Sequence, residues 1–124
     1  MNRNLHEEPF PSGEWTGFYL YPAEHEPERH WMVLYLELAE GRIRGGGHDY
    51  VGPFNISGTY EEAAGEYRWV KQYVGQHAVL YRGKRQGTGI AGVWEIEGIW
   101  SGGFFIWPRG WGDLEESLLE RDSG

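Results

Sequence analysis

Short segments of alternating apolar and polar residues, separated by turn-forming residues, constrain the fold of this chain most strongly. The clearest segment is 30–38, where Met32, Leu34, Leu36 and Leu38 recur at every second position. A period of two places such side chains on one face of a β-strand. About eight strands of this kind follow one another with only hairpin-length links between them. Because no helix interrupts the series, the pattern predicts an all-β, antiparallel up-and-down meander.

The strand number and the glycine content favour closure of this meander into one small barrel. Closure removes the two exposed sheet edges. The sequence holds 20 Gly, well above the average usage of roughly 7%, and glycines inside strands suit sharply bent strands. We expect segment 45–53 to form a loop or bulged edge, and the basic segment 84–87 to form a turn. A barrel of about eight strands encloses either packed side chains or one small ligand, and the pattern leaves both open.

Two acidic ends flank the predicted barrel, which spans residues 13–111. Residues 1–12 are predicted to be a flexible acidic arm, and 112–124 an acidic tail containing a short C-terminal helix. The formal net charge is −8, and segments 1–30 and 112–124 each contribute −4, so the body between them is neutral. The predicted helix has a capping residue, a capping-box partner and two apolar residues on one face. These are Asp113, Glu116, Leu114 and Leu118.

The composition argues against several classes of function. The negative charge disfavours a nucleic-acid partner, and the absence of Cys excludes disulfides and thiolate chemistry. The five His residues show no metal-site spacing. Segment 87–92 matches G-x-G-x-x-G, but a basic turn precedes it and a strand follows, so we expect no dinucleotide cofactor. The sequence therefore predicts no metal and no cofactor.

The chain start lacks the apolar region of a signal peptide, and no run approaches the ~18 apolar residues of a membrane helix. We therefore expect a cytoplasmic protein without a membrane partner.

One constellation of side chains is a candidate ligand site. It occupies alternate positions of two consecutive predicted strands and comprises Trp69, Lys71, Tyr73, His77 and Tyr81. A three-residue turn at 74–76 would place all of them on one face. A two-residue turn at 75–76 would instead pair Lys71 with Leu80 and move the second strand to the opposite face. The sequence leaves this register open.

If the shared face points inward, aromatic rings surround a Lys and a His, which is typical of a pocket for a small molecule. Trp94 would add to the aromatic wall, and Asp49 would lie at the barrel mouth. We therefore predict a non-catalytic barrel that binds a small apolar or aromatic ligand in its lumen. A remote alternative is a small enzyme that uses His48, Asp49 or His77 in acid–base chemistry. For Asp49 we favour a second role, in which its carboxylate caps its own turn.

The tryptophan content supports another alternative, a protein-interaction or homo-oligomeric scaffold. Strand faces alternate, so some of the aromatic side chains must lie outside the barrel, where aromatic patches mark protein interfaces. The residues in question are Trp31, Trp94, Trp100, Trp107 and Trp111.

Three short motifs resemble those of known small barrels. Gly13-Glu14-Trp15 looks like the Gly-x-Trp opening of the calycin superfamily, which includes lipocalins, fatty-acid-binding proteins and avidins. Segment 69–75, Trp-Val-Lys-Gln-Tyr-Val-Gly, is similar to a stretch of bacterial avidins. Segments 49–58 and 105–108 resemble small bacterial β-barrel proteins of unknown function. The resemblance implies a calycin-like barrel, and in lipocalins a basic residue packs over that Trp, which is the place of Arg109 here.

Overall fold

The protein is an eight-stranded antiparallel barrel, seen in a computed structural model that describes residues 8–22 and 28–111. Each strand pairs with the next one in sequence, and β8 also pairs with β1, so the sheet closes on itself. The predicted all-β meander and its closure are therefore confirmed. The strands are β1 (Gly13–Tyr19), β2 (His30–Ala39), β3 (Arg42–Asp49), β4 (Pro53–Glu61), β5 (Glu66–Tyr73), β6 (Ala78–Gln86), β7 (Gly89–Ile96) and β8 (Trp100–Pro108).

Two predicted features fall wholly or partly outside the described residues. The C-terminal helix predicted to begin at Asp113 lies outside them, as do residues 1–7 of the predicted arm. The remaining arm residues, 8–12, include Phe10, which is buried. No helix within the described ranges is long and apolar enough to span a bilayer.

The predicted loop or bulged edge at 45–53 is wrong for residues 45–49, which are strand, whereas residues 50–52 do form a turn. β3 continues through glycines 45–47 and ends at Asp49. A Cβ atom added at Gly47 would overlap the carbonyl oxygen of Val33 on the neighbouring strand. The missing side chains therefore allow two strand backbones to approach closely, and do not mark an interruption of the sheet.

Two of the hairpin turns, β2–β3 and β6–β7, contain only two residues each. Glu40 and Gly41 connect β2 to β3, and both have positive φ angles, 52° and 78°, as the favoured two-residue hairpin turn requires. The basic residues predicted to form a turn at 84–87 are mostly strand. β6 extends to Gln86, and the turn lies at Gly87 and Thr88.

Aromatic side chains close one end of the barrel, which we call the closed end. The Phe10 ring packs 5.1 Å from Trp15, 5.7 Å from Tyr67 and 5.8 Å from Trp111, measured between ring centroids. The Arg85 guanidinium lies 3.9 Å above the same ring. Trp15 is fully buried there, and its indole N–H donates to the Pro11 carbonyl oxygen at 3.1 Å. The segment that precedes β1 thus fills this end.

The middle of the lumen is packed as well. The Trp69 and Tyr81 rings stack at 5.3 Å with planes 10° apart. Phe104 packs edge-on against both rings, at 5.4 Å and 4.9 Å. Among the described residues, a cavity inside the barrel lies at the opposite end, where β1, β3, β5 and β7 finish. We call this the cavity end.

The outer wall carries a separate aromatic cluster on β1, β2 and β8. Phe18 packs against Trp31 at 5.3 Å and against Trp107 at 6.2 Å, and Phe105 lies 5.1 Å from Trp107. Arg29 covers Phe18 with its guanidinium at 4.7 Å. Trp107 is buried by these neighbours, whereas Trp31 stays 46% exposed. The expectation that some tryptophans lie outside the lumen is met by Trp31 and Trp107.

A glycine-to-alanine substitution tests the close approach at β3. We expect Gly47→Ala to lower the free energy of unfolding by about 1–3 kcal/mol, because the new methyl group has no space beside the Val33 carbonyl. Gly103→Ala is the matched control, since its nearest atom, the Gly92 carbonyl oxygen, is at an ordinary 3.7 Å. Urea denaturation measures both, and an equal effect of the two variants would contradict the explanation.

Candidate functional site

The β5–β6 register brings the five constellation residues to one face. Trp69 lies opposite Tyr81, and the Tyr73 N–H donates to the His77 carbonyl oxygen at 3.2 Å. The connection is therefore the three-residue turn at 74–76, with Gly75 at a φ of 71°. Of the two registers that the sequence allowed, the structure has the one that places all five residues on the same face of the sheet, the inner one.

An ion pair between Lys71 and Asp49 is buried below the cavity end. The Lys71 Nζ donates to Asp49 Oδ2 at 2.7 Å, and the exposed fractions of the two side chains are 1% and 0%. Two charges withdrawn so completely from water are stable only when their remaining hydrogen-bonding groups are also satisfied.

The Lys71 ammonium group has a contact for each of its three hydrogens. Besides Asp49, it donates to the Tyr81 hydroxyl at 3.2 Å and to Met32 Sδ at 3.6 Å. Aromatic faces enclose it further, since Nζ lies 4.5 Å from the centre of the Phe54 ring and 4.6 Å from that of Tyr19. Cation–π attraction of this kind is strongest where water is excluded. Lys71 is therefore a fully engaged cation and offers no free hydrogen to a ligand.

Each oxygen of the Asp49 carboxylate has a separate role. Oδ1 accepts from the backbone N–H of Val51 at 2.9 Å and of Gly52 at 3.4 Å, so it caps the β3–β4 turn. The favoured turn-capping role is therefore confirmed. Oδ2 accepts from Lys71 and from the Tyr73 hydroxyl, the latter at 2.6 Å. Asp49 thus links the β3–β4 turn at the barrel mouth to Lys71 beneath it. We call the Lys71–Asp49 pair the ionic floor.

The His48 side chain does not join this site. It follows the strand alternation, lies on the outer face and is exposed, whereas the Asp49 side chain points inward. His77 lies at the rim with its ring 5.1 Å from Tyr73, and Tyr73 contacts Asp49. The structure therefore does not bring the three residues of the enzyme alternative together.

A cavity of about 110 Å³ opens above the ionic floor. Of the predicted site residues, Tyr73, His77, Tyr81 and Trp94 line it, whereas Trp69 packs beneath Tyr81. Lys71 and Asp49 form the layer below the lining. The remaining lining residues were not among the predicted site residues. They are Tyr19, Tyr21, Val51, Val79, Ile96 and Trp100.

Tyr19 is the most informative of the missed residues. Among the described residues, its hydroxyl is the sole buried side-chain oxygen or nitrogen without a hydrogen-bond partner. Burial raises the pKa of this phenol to about 12, so it remains a protonated donor. A sequence signal was present, because Trp15, Gly17 and Tyr19 alternate and the inward position of Trp15 fixes that of Tyr19.

The rim of the cavity is aromatic and partly exposed. Tyr21 stacks on Trp100 with centroids 4.8 Å apart, and its hydroxyl shares a hydrogen bond with that of Tyr50. Trp94 stands edge-on to Trp100 at 5.4 Å, and its indole N–H donates to the Leu20 carbonyl oxygen at 2.9 Å. The walls can therefore hold a flat apolar group.

No protein-family model matches this chain, and no curated protein sequence matches it either. Within residues 8–22 and 28–111, no three His, Asp or Glu side chains are grouped so that they could hold a metal ion. The cavity end is therefore the part of the barrel that bears on function.

Breaking the ion pair tests its place in the structure. We expect Asp49→Asn to lower the free energy of unfolding by about 3–5 kcal/mol, because it leaves a buried ammonium group without its counter-charge. The double variant Asp49→Asn/Lys71→Met removes both charges and should cost clearly less. Glu95→Gln is the control, since it breaks the exposed pair with Arg82 at 3.0 Å and should cost at most about 1 kcal/mol. Equal losses in both single variants, measured by urea denaturation, would contradict this account.

The same pair predicts how stability depends on pH. Burial lowers the pKa of the Lys71 amine from 10.5 to about 8, against the attraction of Asp49. Between these values the unfolded chain binds more protons than the folded one, so stability rises as the pH increases from about 8 toward 10.

Above pH 10 the change of stability with pH reverses its sign. Burial raises the pKa of Tyr19, Tyr73 and Tyr81, so the unfolded chain loses these phenol protons first and stability falls. Denaturation of the wild type between pH 7 and 11 should show this maximum. The rise between pH 8 and 10 should be absent in Asp49→Asn/Lys71→Met. A wild type whose stability only falls above pH 8 would refute the prediction.

Proposed function

We propose that this protein is a non-catalytic binding protein that takes a small apolar or aromatic ligand at the cavity end of its barrel. The observation that carries the proposal is the aromatic cavity above the ionic floor. Trp94, Trp100 and Tyr21 supply flat apolar walls, and Tyr19 supplies a hydroxyl without a partner. Concave apolar walls with a few fixed polar groups are typical of small-molecule sites.

The size of the cavity limits the ligand. A dry cavity of about 150 Å³ in a protein core holds one benzene molecule, and this one measures about 110 Å³. Because the cavity is open at its rim, where Trp100 is 43% exposed, we propose a ligand that inserts one small group and leaves its ring between the rim aromatics. The packed middle of the barrel, filled by Trp69 and Phe104, has no room for a long chain. The proposed site is thus at the mouth, higher in the barrel than the sequence predicted.

We also propose a calycin-like relation, with the cytoplasmic location expected from the sequence. Eight strands in up-and-down order and a buried Trp15 at the start of the barrel support the relation. Arg109 departs from the lipocalin pattern. Its guanidinium pairs with Glu14 on the outer face, at 2.5 Å, while Phe10 packs against Trp15.

A second candidate function is self-association through the outer aromatic cluster of Phe18, Trp31, Phe105 and Trp107. The specific observation is Trp31, which remains 46% exposed beside three other rings. Exposed aromatic residues of this kind are enriched in homodimer interfaces.

One titration separates the two candidates. Ethylbenzene, a ring without polar groups, should shift the Trp94 indole N–H signal in heteronuclear NMR spectra. Trp100→Ala should weaken the binding about tenfold, or about 1.4 kcal/mol, because it removes one wall of the cavity.

Trp31→Ala is the matched control for that titration, since its ring lies on the outer wall. It should leave the affinity for ethylbenzene unchanged. If no single-ring compound shifts the Trp94 signal, the binding proposal fails. If light scattering then finds a wild-type dimer that Trp31→Ala makes monomeric, the second candidate replaces it.

A further inference from the structure

Two tyrosine hydroxyls beside the cavity have hydrogens that no acceptor takes up. Tyr81 accepts a hydrogen bond from Lys71, so its lone pair is engaged while its own hydrogen has no acceptor among the described residues. The Tyr19 hydroxyl is buried near the hydroxyls of Tyr73 and Tyr21, but none of the described residues meets hydrogen-bond geometry with it. A buried donor without an acceptor is costly, by about 1–3 kcal/mol. Both residues line the cavity, so an acceptor placed in it can satisfy both donors.

The third hydroxyl of the lining cannot serve in this way. Tyr73 already donates to Asp49 at 2.6 Å, so its hydrogen is committed to the carboxylate. The cavity lining therefore offers a ligand two donors, the hydroxyls of Tyr19 and Tyr81. A phenol O–H rotates about its C–O bond to meet an acceptor.

The charge of the floor further restricts the ligand. The Lys71 and Asp49 charges neutralise each other at 2.7 Å, so this pair supplies no free positive charge to compensate a carboxylate brought out of water. A ligand cation is disfavoured too, because the Lys71 ammonium already lies 4.6 Å from the centre of the Tyr19 ring. What remains is a neutral group that accepts hydrogen bonds.

We propose that the ligand enters with a neutral carbonyl oxygen that accepts hydrogen bonds from Tyr19 and Tyr81, while its apolar or aromatic part lies against Trp94 and Trp100. This inference rests on the proposed function and specifies its ligand class as ketones, amides or esters that carry one small ring. One oxygen with two lone pairs can accept from two donors in the same cavity lining, and a carbonyl carries no charge that the Lys71–Asp49 pair must balance.

The test compares probes of nearly equal shape. Acetophenone should bind the wild type about tenfold more tightly than ethylbenzene, because it gains two hydrogen bonds to otherwise unpaired donors. Benzoate and benzylamine should both bind more weakly than acetophenone. The affinities are measured from the Trp94 indole N–H signal.

Tyr19→Phe is the decisive variant, because the hydroxyl it removes has no partner in the free protein. It should reduce the preference for acetophenone over ethylbenzene about fivefold, because acetophenone loses one of its two hydrogen bonds. Tyr60→Phe is the matched control. Tyr60 stacks on Tyr67 at 5.5 Å toward the closed end, so this variant should bind both probes like the wild type.

The outcomes separate this inference from the proposed function. Equal binding of acetophenone and ethylbenzene, or an unchanged preference in Tyr19→Phe, overturns the carbonyl assignment and leaves the aromatic site standing. Tighter binding of benzoate or benzylamine than of acetophenone overturns the assignment as well. If none of the four probes binds, both proposals fall together.

Discussion

The rest of the cavity end depends on the buried ion pair between Asp49 and Lys71. The pair fixes the relative positions of four elements. Asp49 bonds to the β3–β4 turn through one oxygen and to β5 through the other. Lys71 in turn contacts β6 through Tyr81 and β2 through Met32. The pair costs desolvation energy, and its hydrogen bonds and aromatic surroundings offset that cost. A buried, hydrogen-bonded ion pair of this kind specifies one arrangement of side chains, where a purely apolar core would tolerate several.

The two ends of the barrel differ, because only the cavity end contains this buried ion pair. At the closed end, Phe10 packs against Trp15 and Tyr67, and no buried side-chain donor among the described residues there lacks a partner. At the cavity end, the polar floor uses up most hydrogen-bonding groups but leaves the Tyr19 hydroxyl without a partner. The unfilled space and the unsatisfied donor coincide, and this coincidence supports a binding role more directly than the aromatic content does. The outer cluster around Trp31 is independent of both ends.

Much of the fold was predictable because strand alternation is a local property. Period-two segments such as 30–38 fix strand positions and facing, and the turn residues fix the order of hairpins. The glycines at 45–47 misled the prediction, since a glycine run is compatible both with a loop and with close strand contact. Only the neighbouring backbone, here at Val33, distinguishes the two. The site residues Lys71, Tyr73 and Tyr81 were identified from alternation, but their shared face depended on a turn length that the sequence allowed in two forms.

By itself, the sequence determined an all-β meander, a neutral barrel body between acidic ends, and the alternation of Trp69, Lys71 and Tyr73 on one face of a strand, without deciding whether that face points inward. These follow from the side-chain period and from charge counting, which need no knowledge of distant contacts. Tertiary structure alone decided that Asp49 meets Lys71, 22 residues away, and that Tyr19 is left without a partner. Both facts arise from barrel closure, which brings β1 and β3 around the same lumen as β5. Pairings across a closed sheet depend on the register of every strand between them, so no local pattern encodes them.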